Sequence, residues 1–225
     1  SEKYVFRNAS FVSTHNEALR KYCIGLGAAP TKSSVIYPGI DMSRFFPAPP
    51  RQDLLTKVGI QPTDKVLLFM GTIFRFSGLV ELLTELAPAL RLDKSIKFLI
   101  LGDGEDFNRL HQLAITLGLQ SQVITPGRIE YDLLADYLRL GHVALLPFKQ
   151  ELVTHGALPG KVLQYLACGL PTIATPLDGL QSMIPPNKGI LYAKNSQEMA
   201  NMGINLASKP DQQLQLATFG LDLMT

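Results

Sequence analysis

The chain has 225 residues, 46% of them hydrophobic and 18% charged, with a formal net charge of +2. That composition can bury a substantial core and excludes disorder on compositional grounds. So small a charge, with no lysine–arginine stripe, leaves no electrostatic footprint for nucleic acid.

The first ten residues, SEKYVFRNAS, read as the last turn of a helix running into the strand FVS, with no start methionine and no signal-peptide pattern. A fragment of a longer protein is expected. The helix NEALRKYCIGL and the strand SSVIYP follow, and 1–47 is too short for a parallel sheet to bury itself. The segment therefore packs on the main domain or belongs to another. PAPPRQD (47–53) reads as a stiff, extended linker.

From Lys65 onward, apolar runs of four to six residues alternate with amphipathic runs of ten or more. KVLLFM precedes GLVELLTELAPALRL, whose Val80, Leu83, Leu86, Ala87 and Leu90 share a face. IKFLIL precedes EDFNRLHQLAITLGL, and QVIT precedes YDLLADYLRL. HVALLPF precedes ALPGKVLQYLACGL, and PTIAT leads to the weak strand GILY and the helix SQEMANMGINLA. Strands that are continuously apolar are buried on both faces. The fold expected is α/β, a doubly wound, Rossmann-like parallel sheet of about six strands. The last residues, 211–225, read as a tail helix with little amphipathic stripe, docking elsewhere. No run reaches the roughly 18 apolar residues of a membrane span. The two cysteines, Cys23 and Cys168, lie far apart in unrelated contexts; they could be bridged, but read better as free buried thiols in a reducing compartment, hence a cytoplasmic protein.

In such a sheet, ligands bind beyond the carboxyl ends of the strands. Four loops lie there: GTIFRFSG (71–78), GDGED (102–106), PGRIE (126–130) and the long KQELVTHGALPG (149–160). Three glycine-bearing loops and one long loop suit a nucleotide. GDG lacks the third glycine of a dinucleotide fingerprint, and Asp103 and Glu105 read better as helix caps than as catalysts. Arg75, the basic side chain of the first loop, suits either phosphate or solvent, and His155 either a ligand contact or an ordinary surface position. Scattered histidines without ligand spacing argue against zinc. There is no G-x-S-x-G elbow and no G-x-x-x-x-G-K-S/T loop, which excludes two common readings. One residue stands out: Gln164, polar, one turn into the helix behind Pro159 and Gly160.

Five segments in order resemble retaining glycosyltransferases of the GT-B fold, of the family 4 (group 1) type: VIYPGIDMSRFFP, LLFMGTIFRFSGLVELL, FLILGDGED, VITPGRIEYDLLADYLRLGHVALLPF and VLQYLACGLPTIAT. The resemblance implies two Rossmann-like domains, with acceptor in the first and nucleotide-sugar donor in the second. Residues 1–47 would be the terminal βαβ piece of the acceptor domain with the connecting segment, and 48–210 the donor-binding domain. It implies a base packed against Arg128 and Ile129 beside Gly102 and Gly104. A diphosphate would sit near Gly71 and Arg75, on the helix mouth formed by Leu158, Pro159, Gly160, Lys161 and Val162. The ribose would meet Gln164, and no metal or other cofactor is implied. The acceptor, a sugar, a lipid-linked molecule or another, would be held by the rest of the longer protein, with peripheral membrane association.

The departures from that pattern are specific. The family's two acidic residues eight apart fall at Gly156 and Gln164, with His155 beside the first as a catalytic candidate. The family's first-loop arginine and lysine fall at Thr72 and Ser77, leaving Arg75 and Lys161 as substitutes. The fragment alone is therefore expected to bind donor without transferring sugar. A non-catalytic nucleotide-sugar-binding partner and a GT-B epimerase are the alternatives. An NAD oxidoreductase fits least, because its ribose-binding acid would have to end the second strand, and Asp103 lies in the wrong loop.

Overall fold

The computed structural model of the protein describes residues 1–151, 154 and 156–224. At the N-terminal end α1 (Glu2–Asn8) leads into β1 (Val12–Thr14), α2 (Glu17–Gly25) and β2 (Ser33–Val35). β1 and β2 pair in parallel from Val12↔Ser33 to Thr14↔Val35, so α2 is the crossover of a βαβ unit. Asn16 starts that helix. Its Oδ1 accepts the Leu19 N–H at 2.8 Å, which satisfies one of the donors a first turn leaves open.

The remainder runs α3 (Gln52–Val58), β3 (Lys65–Met70), α4 (Leu79–Leu92), β4 (Ile96–Leu101), α5 (Phe107–Thr116), β5 (Val123–Gly127), α6 (Tyr131–Leu138) and β6 (Val143–Leu146). It continues through α7 (Lys161–Ala167), β7 (Thr172–Ala174), α8 (Asp178–Gln181), β8 (Ile190–Tyr192), α9 (Ser196–Ala207) and α10 (Pro210–Asp222). The six strands lie in the order β5-β4-β3-β6-β7-β8, every pair parallel. Chain order reverses between β3 and β6, and a crevice opens beyond the carboxyl ends of strands at such a switch point.

The sheet separates two apolar cores, as its continuous strands require. Leu67 and Phe69 of β3 enter a core with α4 and α9, while Val66 and Leu68 enter another with α3 and α6. All four are fully buried, each stabilising the fold by roughly 1.5–3 kcal/mol. On α4 the buried face is Leu79, Leu82, Leu83, Leu86, Ala87 and Leu90; Val80 lies at its margin, partly exposed.

The linker and the tail differ from the sequence expectation. The linker is short, because Gln52 begins α3, whose Leu54 and Leu55 are core residues. The segment before it packs on the main domain, one of the two placements the sequence left open. Phe45 is fully buried and edge-on to Tyr131, Arg44 pairs with Asp132, and Arg51 pairs with Asp136 at 2.9 Å. The tail helix α10 docks on this domain: a Cβ on Gly189 would collide with Gly220, so two glycines let the backbones meet beside Leu166 of α7. Both cysteines are buried and free, and burial pushes the Cys168 thiol up to about 11.

Candidate functional site

Backbone hydrogen bonds carry the sheet beyond its strands. Gly71 N–H donates to Leu101 O at 2.8 Å and Gly102 N–H to Gly127 O at 2.8 Å. Ile73 N–H donates to Asp103 O at 3.0 Å, and Asp106 N–H returns to Ile73 O at 3.0 Å. Loops laced this closely leave no room for side chains. Gly102 has φ +144°, and a Cβ there would strike the Gly71 carbonyl; a Cβ on Gly104 would strike the Ile73 backbone. The glycines of GDG are thus required by loop-on-loop packing. The laced loops floor a cleft of about 460 Å³ lined by Gly71, Thr72, Gly102, Gly104, Arg128 and Ile129 among others. All four base-site candidates come together here with Gly71.

Asp103 and Glu105 do not cap α5. The Asp103 carboxylate accepts the N–H of its neighbour Gly104 at 2.7 Å, and Glu105 accepts the Arg75 N–H at 3.3 Å. Asp106 stands at the cap position before Phe107, and its side chain makes no capping hydrogen bond.

Lys161 holds the centre of the crevice. It opens α7, and its ammonium lies 4.5 Å from the Phe69 ring centroid and 5.0 Å from that of Phe148, beyond β6. Gly71, with φ +134°, makes this possible, since a Cβ there would occupy the ammonium's place. Desolvation pushes the Lys161 amine down to about 8. Among the described residues no carboxylate pairs with it. A cation over two aromatic faces, without a carboxylate partner among the described residues, can receive an anion.

Tyr165, on the same helix, is fully buried; its hydroxyl accepts Met70 N–H at 2.8 Å and donates to Met70 O at 3.2 Å. It serves the end of β3 that β6 does not reach, because β3–β6 pairing stops at Leu68↔Ala144. Ser77 is likewise structural. Buried, it accepts Phe74 N–H at 3.1 Å and donates to Thr72 O at 3.2 Å, which closes the first loop on itself.

The other expected positions are more dispersed. Arg75 is exposed on a 3₁₀ turn (75–77), outside the residues lining the cleft. At the helix mouth Pro159 has no N–H, and the Val162 N–H is spent on Pro159 O at 3.0 Å. Gly160 is exposed, while Leu158 and Pro159 line a second chamber with Lys161. Gln164 is half-buried on α7 and lines neither space. His155 lies outside the described residues. His15, which the sequence offered as one of several scattered histidines, is delivered to the second chamber from the end of β1. Nothing local to His15 signals this; the packing of α2 beside Gly156 does it. Among the described residues no cluster of three or more His, Cys, Asp or Glu could hold a metal ion, and no helix is long and apolar enough to cross a membrane.

The family of glycosyl transferases group 1 matches residues 50–217. This chain belongs to that family. A relative among the group 1 transferases, D-inositol 3-phosphate glycosyltransferase 2 of Catenulispora acidiphila, is 28% identical over 215 residues, covering 91% of this chain and 48% of its own. A D-inositol 3-phosphate glycosyltransferase of Geodermatophilus obscurus is 30% identical over 193 residues, covering 81% and 41%. The chain therefore spans less than half the length of these curated relatives. Among solved structures, Anabaena Alr3699/HepE in complex with UDP and glucose superposes with a TM-score of 0.83 at 19% identity, over 98% of this chain and 59% of that one. The C-terminal domain of the group 1 protein LpcC from Francisella tularensis gives 0.68 at 22% identity, over 82% of this chain and 96% of that domain. The group 1 chain thus has the Rossmann-like α/β architecture of GT-B glycosyltransferases.

Proposed function

We propose that this chain is the donor-binding part of a glycosyltransferase, taking a nucleoside diphosphate sugar whose glycosyl group passes to an acceptor with retention. The observation that carries the reading is Lys161: an ammonium at the switch point with no carboxylate partner among the described residues, at the edge of a glycine-floored cleft. In this proposal the base lies over Gly102 and Gly104 against Arg128 and Ile129, and the diphosphate reaches Lys161 and the N–H groups of Gly160 and Lys161. The ammonium replaces in space the cationic loop residues that the resemblance puts at Thr72 and Ser77. A charge-assisted contact of this kind contributes about 1.5–3 kcal/mol.

Retention follows if the acceptor oxygen attacks the face the leaving group departs from. The C1–O bond to phosphate breaks as the new C1–O bond forms, and a departing phosphate oxygen accepts the acceptor's proton. The protein's part is to orient the sugar and stabilise the departing charge, which Lys161 does at no reorganisation cost. Phosphate charge is met by nitrogen donors, so the proposal gives a divalent cation no role.

Calorimetry of the 225-residue chain with UDP, GDP, ADP and TDP, each in magnesium and in chelator, tests the reading. One nucleotide should bind, equally in both; no binding, or binding lost in chelator, would overturn it. Gly156 and Gln164, where acids are expected, favour a second reading: a partner domain that binds nucleotide sugar without turnover. Donor hydrolysis or transfer by the full-length protein separates the two.

A further inference from the structure

The nucleotide cleft and the second chamber share Gly71 and Thr72, and Lys161 stands beside Gly71 as part of the chamber's lining. A nucleoside diphosphate lying in the cleft with its terminal phosphate on Lys161 must direct its next atoms beyond Gly71, into that chamber. The chamber holds about 460 Å³, room for a hexose ring. Its chemistry is unusual for a sugar.

Three phenylalanines form one wall. Phe74 and Phe76 stack with centroids 5.0 Å apart and planes 22° from parallel, and Phe76 meets Phe148 edge-on at 5.5 Å and 88°. Phe148 in turn holds Lys161, so aromatic surface runs unbroken from the phosphate position to the chamber's mouth. The wall is fixed: Lys149 N–H donates to Phe76 O at 2.8 Å, and Gly78 packs against the Pro147 carbonyl. Opposite stand Ala157, Leu158 and Pro159. Among the described residues no carboxylate and no side-chain amide lines the space. The Thr154 hydroxyl is buried and already bonded, accepting Glu151 N–H at 2.9 Å and donating to backbone carbonyl. Thr72 and His15 are left, both exposed at the rim.

A hexose brings four free hydroxyls, each of which loses water on entry. Among the described residues few side chains could partner them, and an unpaired buried hydroxyl is costly. Aromatic faces reward C–H surface instead. The exocyclic carbon projects furthest from the ring, which makes it the group best able to reach such a wall.

Resting on the donor reading above, we infer that the donor sugar is a 6-deoxyhexose, with a methyl group where a common hexose carries its primary hydroxyl. The aromatic wall of Phe74, Phe76 and Phe148 selects it.

The test uses donor pairs that differ by that one oxygen on a common base: UDP-glucose with UDP-6-deoxyglucose, TDP-glucose with TDP-6-deoxyglucose, GDP-mannose with GDP-6-deoxymannose. Titrated into the 225-residue chain, the pair on the preferred base should show the deoxy sugar binding roughly tenfold tighter, the scale of one unpaired hydroxyl. Phe74→Gln, at a ring 39% exposed and so tolerant of change, places an amide at the wall and should bring the ratio to about one. Equal binding within the pair, or tighter binding of the parent hexose, would overturn the inference. So would a ratio that Phe74→Gln leaves unchanged. No binding of any nucleotide would instead overturn the donor reading itself.

Discussion

Replacing Lys161 by methionine should stabilise the fold and weaken the ligand at once. Methionine keeps the length and apolar stem of lysine and removes the charge. The amine falls from 10.5 to about 8 in the folded chain, at about 1.4 kcal/mol per unit, so burial of the charge costs up to about 3 kcal/mol. The side chain is still partly exposed, which reduces the expected gain to about 2 kcal/mol. The sign with pH follows from proton counts. Below pH 8 both folded and unfolded chains hold the proton, and the cost is present in full. Between pH 8 and 10.5 the unfolded chain holds more protons than the folded one, so native stability rises and the cost fades. The gain from Lys161→Met should therefore be full at pH 7 and shrink towards pH 10. For a chain of this size it corresponds to about 4–8 °C in Tm at pH 7. Thermal melts of both proteins at the two pH values read it, and calorimetry should show the preferred diphosphate bound roughly ten- to a hundredfold more weakly. A variant that melts lower at pH 7, or gains equally at both pH values, would refute the picture of a desolvated ammonium without a carboxylate partner.

Tyr165→Phe should cost about 1–3 kcal/mol in chemical denaturation, because Met70 N–H and O lose their partner at the end of β3, where water does not reach. A loss below about 0.5 kcal/mol would mean the strand end finds another partner. Gln164 lines neither the cleft nor the chamber, so its expected ribose role requires the ribose to extend past the cleft to α7; on that arrangement Gln164→Glu should tighten the preferred diphosphate about fivefold by accepting from both hydroxyls. Equal affinities for the wild type, Gln164→Glu and Gln164→Ala would remove Gln164 from the ribose site.

The central strands β3, β4 and β6 were legible because they are almost continuously apolar, and burial on both faces is the condition that writes that pattern. The helix Ser196–Ala207 was legible to its ends because Asn195 caps it visibly. α3 was hidden by the prolines just ahead of it, which stop before Gln52 and leave two turns of ordinary helix. The tail's seat was hidden because what seats it is a pair of glycines that carry no apolar signal. At the site, the glycine loops marked the cleft, yet sequence could not tell that Gly71 exists to admit a lysine some ninety residues later in the chain. His15 and Tyr165 were illegible for the same reason. Each acts across a distance that only the parallel crossovers close.

Asn16 has two hands. Its oxygen starts α2, and its nitrogen donates to Gly156 O at 3.0 Å, from a residue with no exposed surface. The βαβ unit is thereby pinned to the backbone just ahead of the chamber. Sliding one against the other would break this hydrogen bond at a fully buried side chain, which couples the two. The βαβ unit and the loop from Gly156 to Pro159 thus share one anchor, so a shift of α2 changes the support of the chamber's Ala157 and Leu158 side as well.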